Sequence, residues 1–154
     1  MPNITVISKR RAEQIAKSYI KYKFSRKSKS PRRYKLDKEA KKNITGKILL
    51  ELLNKQNWNS ATEKYIKFFI SPSHPNRRSH KSTALIYHNN KYCLIDLNYL
   101  LKYKKYQLPS IDRIDSSIGY EISNIQLTSK KYNLAKGNMN DAEFKLWLKS
   151  LKSL

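Results

Sequence analysis

Apolar side chains recur at helical spacing in three separate parts of the chain. Residues 8–24 and 45–56 each carry an apolar stripe beside charged positions, and Thr45 is a suitable N-cap for the second segment. Asn140 and Glu143 form a capping box before the third stripe. We therefore predict three amphipathic helices, the first of which either packs as an ordinary surface helix or lies along a phosphate backbone. The predicted apolar stripes consist of Ala12, Ile15, Ala16, Tyr19, Ile20, Ile48, Leu49, Leu52, Leu53, Phe144, Trp147, Leu148 and Leu151.

The region between the second and third helices contains β-prone runs. Residues 84–87 and 92–95 are short and β-prone, and the Asn pair at 89–90 suits a hairpin turn between them. Residues 65–70 fit either a buried strand or the end of a helix, and the Leu- and Tyr-rich run 97–106 fits a helix. The fold class that these patterns predict is α+β.

The stretch 110–136 combines strand and helix patterns within a short distance. Residues 110–114 alternate apolar and polar side chains, as a half-buried strand does, and 125–128 alternate again. Residues 115–124 are rich in Ser, Asp and Asn and predict a loop, whereas 129–136 contain no helix breaker. A strand, a wide loop, a strand and a helix in this order can direct a carboxylate and an amide toward one point.

Three side chains of this stretch suggest metal-assisted chemistry on a phosphate. Asp112 is a hard oxygen ligand of the kind that Mg²⁺ or Mn²⁺ prefers, and Asn133 offers an amide oxygen. Lys136 lies one helical turn after Asn133 and is expected to reach a phosphate bound to the same metal. A metal held by few protein atoms keeps positions open for a phosphodiester oxygen and a water, as hydrolysis requires.

The motifs in this stretch read Asp-Arg-Ile-Asp, then Gly-Tyr, then Asn-Ile-Gln-Leu, then Asn-x-x-Lys-Gly. Their order and spacing, over residues 107–148, resemble the HNH or ββα-metal endonucleases, especially small phage-type and restriction-type members. The resemblance implies a DNA endonuclease that hydrolyses phosphodiester bonds with a single divalent metal. The roles that it implies are metal ligands for Asp112 and Asn133, a phosphate contact for Lys136, a structural position for Gly119, and a tie between loop and strands for Asn124.

Position 113 departs from the pattern of that family. Its best-known members carry a general-base His directly after the metal-binding Asp, and this chain has Arg113. A guanidinium cannot release its proton near neutral pH, although it can clamp a scissile phosphate through two hydrogen bonds. The predicted hairpin precedes Asp112, and His88, Tyr87 or Tyr92 on it is the candidate general base.

Positive charge is the strongest global feature of the chain. It has 33 Lys and Arg against 11 Asp and Glu, which gives a formal net charge of +22. A field of this sign attracts polyanions, and nucleic acid is the usual partner. Codon bias of an A/T-rich genome is the alternative source of part of the lysine, because Lys, Asn, Ile and Tyr abound together. Double-stranded DNA is the partner that we expect.

Two basic segments are candidate DNA contacts. Residues 25–33 are polar, basic and interrupted by a proline, which predicts a flexible arm or a solvated linker. Residues 76–81 predict a basic loop, for which a solvated loop is again the alternative. The residues that we expect to touch DNA in these segments are Arg32, Arg33, Arg77 and Arg78.

The cysteine and histidine content argues against an intrachain disulfide and against a structural zinc site. Cys93 is the only cysteine, so neither an intrachain disulfide nor a four-cysteine zinc ribbon can form. His74, His80 and His88 are not spaced like a zinc-binding pair. No secretory signal and no apolar run of membrane-spanning length are visible, so we expect an intracellular protein, cytoplasmic or in the host cytoplasm if phage-encoded.

These observations predict a single domain with three regions. Residues 1–60 form a basic helical region, 61–107 a variable strand and loop region, and 108–154 an HNH-like core with a closing amphipathic helix. The predicted function is a Mg²⁺- or Mn²⁺-dependent DNA endonuclease. The alternatives are an inactive DNA-binding protein of the same fold and a basic RNA-binding protein. Trp147 is a candidate contact of a possible homodimer.

Overall fold

The protein is described by a computed structural model that covers residues 2–25, 30–71 and 83–153. Its helices are α1 (Lys9–Lys23), α2 (Pro31–Asn43), α3 (Gly46–Lys55), α4 (Leu97–Leu101), α5 (Lys130–Lys136) and α6 (Asp141–Lys152). Its strands are β1 (Thr5–Val6), β2 (Lys67–Phe68), β3 (Thr83–His88), β4 (Lys91–Asp96), β5 (Tyr106–Gln107), β6 (Ser110–Arg113) and β7 (Ile125–Thr128). The chain therefore has the predicted α+β character.

The first three helices begin at hydroxyl N-caps. The side chains of Ser8, Ser30 and Thr45 each accept a hydrogen bond from the backbone N–H three residues later. At the start of α2, Pro31 follows the cap directly, where its fixed φ suits a helix and its missing N–H has no cost. The prediction of a flexible segment over 25–33 is therefore wrong at its C-terminal end, because residues 31–33 form the first turn of α2.

Helices α1 and α3 pack closely because Gly46 has no side chain. A Cβ built on Gly46 would collide with the backbone carbonyl oxygen of Glu13 and lie 2.8 Å from the backbone nitrogen of Lys17. The predicted stripe of α1 is buried, and in α3 Leu49 and Leu53 are fully buried as predicted. Ile48 and Leu52, which were also predicted to be buried, are only partly buried, and Leu50 is buried in addition. This helix pair supplies one side of the main core.

The strands form three small sheets among the described residues. β1, β4 and β3 make an antiparallel sheet, and the β3–β4 turn has positive φ at Asn89 and Asn90, as the predicted hairpin requires. β2 and β5 form a short parallel pair. β6 and β7 pair antiparallel, with Asp112 opposite Gln126.

One core joins all three regions that the sequence predicts. Its buried residues come from α1, α2, α3, β2, β3, β6 and β7, and include Ala12, Ala40, Leu49, Phe68, Leu85, Ile111 and Leu127. The boundaries at 60 and 107 therefore do not separate independent cores.

None of the helices within the described ranges combines the length and apolar character that a membrane crossing needs.

Two predicted helices differ from the observed ones. The helix predicted over 97–106 ends at Leu101, and its last predicted residue, Tyr106, begins β5 instead. In α6 only Phe144 is buried, so the prediction that Trp147, Leu148 and Leu151 are core residues is wrong. Trp147 stacks on Phe144 with ring centroids 5.8 Å apart, yet remains 45% exposed.

Candidate functional site

The motif stretch folds as strand β6, a loop, strand β7 and helix α5, and β6 faces α5 with alternate side chains. Ser110 and Asp112 lie on the same side of β6, two residues apart. The amide nitrogen of Asn133 donates to Ser110 Oγ at 2.8 Å, and Lys136 Nζ donates to Asp112 Oδ2 at 2.9 Å. Two contacts therefore join β6 to α5: Ser110 with Asn133 and, two strand residues later, Asp112 with Lys136, which lies one helical turn after Asn133.

Lys136 is fully buried, and its ammonium group lies among protein oxygens. Nζ lies 2.9 and 3.1 Å from the two carboxylate oxygens of Asp112 and 3.3 Å from Asp141 Oδ1. It also donates to the backbone carbonyl of Arg113 at 2.6 Å and approaches that of Ile114 at 3.4 Å. The prediction that Lys136 contacts a nucleic-acid phosphate is wrong for this conformation, because its side chain has no exposed surface.

Asp112 is 3% exposed and has its oxygens engaged by protein donors. Besides Lys136, the amide nitrogen of Gln126 donates to Asp112 Oδ2 at 2.9 Å and to Asp141 Oδ1 at 3.1 Å. A divalent ion on Asp112 would have to displace the ammonium and leave it buried without its partner. The residues in this arrangement therefore do not fit the Mg²⁺ or Mn²⁺ that the family resemblance implies.

Asn133 hydrogen-bonds to Ser110 and Ile111 and not to Asp112. Its amide nitrogen donates to Ser110 Oγ and, at 3.4 Å, to the carbonyl of Ile111. Across the described part of the chain, no group of three or more His, Cys, Asp or Glu side chains is placed to hold a metal ion. Asp112 and Asn133 therefore contact different residues across the β6–α5 interface, Lys136 and Ser110.

Arg113 braces the motif loop. Its guanidinium donates to the carbonyls of Ser116 at 2.9 Å and Ile118 at 3.3 Å, and lies 5.4 Å from the centre of the Tyr120 ring. These contacts use Nη1 and one face of the group, whereas a bidentate clamp would use Nε and Nη2, so the phosphate contact of Arg113 stays a prediction.

The three candidate general bases lie on the β3–β4 hairpin, and two of them contact residues of α3 or the turn after it. Tyr87 stacks on Trp58 with ring centroids 6.1 Å apart, and the hydroxyl of Tyr92 accepts from the Asn54 amide at 2.9 Å. His88 is exposed at the end of β3. The hydrogen-bond partners of Asp112 are Lys136 and Gln126, so no direct contact supports the prediction that one of these residues is the base, and it stays a prediction.

Asn124 and Gly119 organise the motif loop. The Asn124 side chain accepts from the backbone N–H of Asp115 at 2.9 Å and donates to the carbonyls of Asp115 and Gly119, each at 3.0 Å. It therefore ties the two ends of the loop together at the start of β7. A Cβ on Gly119 would meet the carboxylate of Glu39, the flexible end of a side chain on α2, so α2 lies against the loop at this glycine.

Helix α2 places a dense cationic surface beside that loop. It carries six Lys and Arg residues and buries only Asp37 and Ala40. The Asn43 amide donates to the Tyr120 carbonyl at 3.0 Å, which fixes the end of α2 against the loop. The cationic residues of α2 are Arg32, Arg33, Lys35, Lys38, Lys41 and Lys42.

The four arginines predicted to touch DNA have different positions. Arg32 is exposed in the first turn of α2. Arg33 is half exposed and pairs with Asp37 at 3.1 Å. Arg77 and Arg78 lie outside the described residues, as do His74 and His80.

Two ionisable side chains near the motif have shifted pKa values. Burial, reinforced by the negative charge of Asp141, raises the pKa of Tyr132 to about 12. Hydrogen bonds from the hydroxyl and the backbone N–H of Ser117 lower the pKa of Asp115. Neither shift produces a group that titrates near neutral pH.

Sequence reasoning missed Gln126, which donates to Asp112, and Asp141, which shares Gln126 and Lys136 with Asp112. The position of Gln126 opposite Asp112 follows from the hairpin register, which the sequence alone does not fix. Asp141 was visible as an acidic residue in the first turn after the capping Asn140, where a carboxylate complements the helix dipole.

Comparison of the chain with protein-family models, curated proteins and solved structures finds no match.

Proposed function

We propose that this chain binds nucleic acid, with duplex DNA as the partner, and that α2 and the adjacent motif loop provide the contact surface. The observation that carries the proposal is the exposure of six cationic side chains on one helix that buries only two of its thirteen residues. A helix with so little apolar contact contributes little to the core, whereas a phosphate backbone would neutralise its surface charge.

The start of α2 supports an anionic partner. Its first turn has no acidic residue and contains Arg32 and Arg33 instead. Cations at a helix N-terminus oppose the helix dipole, so this placement disfavours the isolated helix. A phosphate near this turn would interact favourably with both the arginines and the dipole.

The motif spacing supports an HNH-like framework for this binding surface. Strand β6, the loop tied by Asn124, strand β7 and helix α5 follow each other in the order that the resemblance implies. Binding without cleavage is the reading that the Asp112–Lys136 ion pair favours, because it engages the carboxylate on which a metal would depend.

Metal-dependent cleavage of DNA is a second candidate. It is favoured by the presence of both Asp112 and Asn133 on facing elements, β6 and α5, of a motif that resembles the nuclease family. This candidate requires a conformation in which Lys136 leaves Asp112.

The binding surface is tested by removing three charges from one face of α2. Lys35, Lys38 and Lys42 are exposed and spaced so that they share the outer face of the helix. We expect the triple variant Lys35→Gln/Lys38→Gln/Lys42→Gln to weaken binding of a labelled duplex in fluorescence anisotropy. The slope of log K against log salt should fall in magnitude by roughly 2–3, because each lost phosphate contact contributes about 0.9.

A second triple variant controls for net charge. Lys102→Gln/Lys104→Gln/Lys149→Gln removes the same charge from exposed positions on α6 and after α4. An equal loss of affinity in both variants would show that the general field, and not α2, binds the duplex. A preference for RNA over duplex DNA at matched salt would favour the RNA-binding alternative.

Cleavage is tested separately with supercoiled plasmid. We expect the wild type to bind plasmid without nicking it, both with a chelator and with Mg²⁺ or Mn²⁺. Metal-dependent nicking that disappears in Asp112→Ala would establish the nuclease and reject binding alone.

A further inference from the structure

The five oxygens around Lys136 Nζ are of the kind that bind hard cations. They are carboxylate oxygens of Asp112 and Asp141 and carbonyl oxygens of Arg113 and Ile114, at 2.6–3.4 Å from the nitrogen. Calcium, magnesium and manganese prefer this donor set. In this molecule a side chain of the same chain supplies the positive charge.

We propose that Lys136 is the resident cation of the β6–β7–α5 unit and stands where a metal ion would otherwise bind. The ammonium is covalently tethered, so it occupies the oxygens without the entropy loss of binding a free ion. The wild type consequently folds without a divalent metal at this place. Removal of the ammonium converts the oxygen cluster into a divalent-cation site.

The electrostatics of the cluster explain why a cation is needed there. Asp112 and Asp141 are bridged by one Gln126 amide nitrogen, so their carboxylates are close neighbours with little solvent. Lys145 gives Asp141 a second cation at 3.6 Å, but that lysine is 65% exposed and interacts with the outer oxygen. Without Lys136 the two carboxylates would repel each other in a poorly hydrated position.

The distances favour calcium over magnesium in a variant that lacks the lysine. Calcium accepts irregular oxygen sites at about 2.3–2.6 Å, whereas magnesium requires near-octahedral geometry at about 2.0–2.1 Å. The shortest nitrogen–oxygen distance around Lys136 is 2.6 Å. The oxygens would therefore have to move inward less to bind calcium than to bind magnesium. Calcium is therefore the probe of choice, with magnesium as comparison.

The test measures thermal unfolding of the full chain, freed of metal by a chelator, at constant ionic strength. We expect the Tm of the wild type to be the same with calcium or with chelator. Lys136→Ala should have a lower Tm that rises by about 4 °C in millimolar calcium and less in magnesium. Lys145→Ala, which removes the other ammonium on Asp141, should show no calcium response.

Two further measurements test the oxygen cluster itself. Adding Asp112→Asn to Lys136→Ala should abolish the calcium response, since it removes a carboxylate from the cluster. If Lys136→Ala does not fold in chelator, we expect it to be recovered by refolding in calcium, and failure in both conditions would overturn the proposal. Calorimetric binding of calcium or manganese to the wild type, lost in Asp112→Asn, would also overturn it. None of these readouts depends on nucleic-acid binding.

Discussion

The carboxylate of Asp115 holds the first turn of the motif loop through Ser117. Its Oδ1 accepts from the Ser117 hydroxyl at 2.6 Å and from the Ser117 backbone N–H at 2.9 Å. Ser117→Ala removes the stronger cause of the lowered pKa and keeps the backbone bond. We therefore expect the pKa of Asp115 to rise toward the usual value of about 3.9, as measured by NMR titration of its carboxyl carbon.

The same shift has a defined effect on stability. The pKa of Asp115 is lower in the folded state than in the unfolded state. The ionised Asp115 therefore contributes to the stability of the fold at a pH above the unfolded-state pKa, and this contribution is lost as pH falls through the folded-state pKa. Ser117→Ala should therefore reduce stability at neutral pH more than at strongly acidic pH. Ser116→Ala is the matched control, since the Ser116 hydroxyl donates to the Met139 carbonyl and not to Asp115. A pKa of Asp115 that is equal in both variants would contradict the assignment.

The position of α5 along β6 determines which residue of this helix contacts Asp112. Asn133 and Lys136 share a face, so sequence spacing predicts correctly that both point toward β6. Three helix residues advance about 4.5 Å and two strand residues about 6.6 Å, so Asn133 and Lys136 reach successive positions on one side of β6. The axial position of α5 along β6 depends on tertiary packing. The sequence therefore could not show that Lys136, and not Asn133, is the residue of α5 that contacts Asp112.

At the scale of elements, the contact between α1 and α3 depends on a single glycine. We expect Gly46→Ala to destabilise the protein by about 1–3 kcal/mol, because the methyl group meets the fixed backbone of Glu13 and Lys17. Urea unfolding measures this change. Lys47→Ala, at the next and exposed position, is the control and should change stability by less than about 0.5 kcal/mol. Equal stability of the two variants would mean that the helices separate without cost.

Elements with a local signal were predictable from sequence, and elements defined by distant contacts were not. Hydrophobic periodicity identified α1 and α3, and the Asn pair identified the β3–β4 turn. Helix α2 was missed because its basic composition obscured the Ser30–Pro31 start signal. The apolar face of α6 remains largely exposed, because periodicity shows which face is apolar but not whether another element covers it.

For the whole molecule, net charge sets two opposite responses to salt. A formal charge of +22 on 154 residues repels itself more strongly in the compact state than in the unfolded chain. Salt shortens the range of this repulsion, since the Debye length falls from about 10 Å at 0.1 M to about 3 Å at 1 M. The same screening weakens attraction to a phosphate backbone, and counterion release adds to the loss.

We therefore expect added sodium chloride to raise the Tm of the free protein while it lowers affinity for duplex DNA. Scanning fluorimetry and anisotropy over one salt series measure both quantities. The α2 triple variant should show a smaller salt effect on both, because it carries three fewer charges on a crowded surface. A Tm that falls with salt would mean that favourable ion pairs outweigh repulsion among the 33 cations, although only 11 acidic residues are present to pair with them.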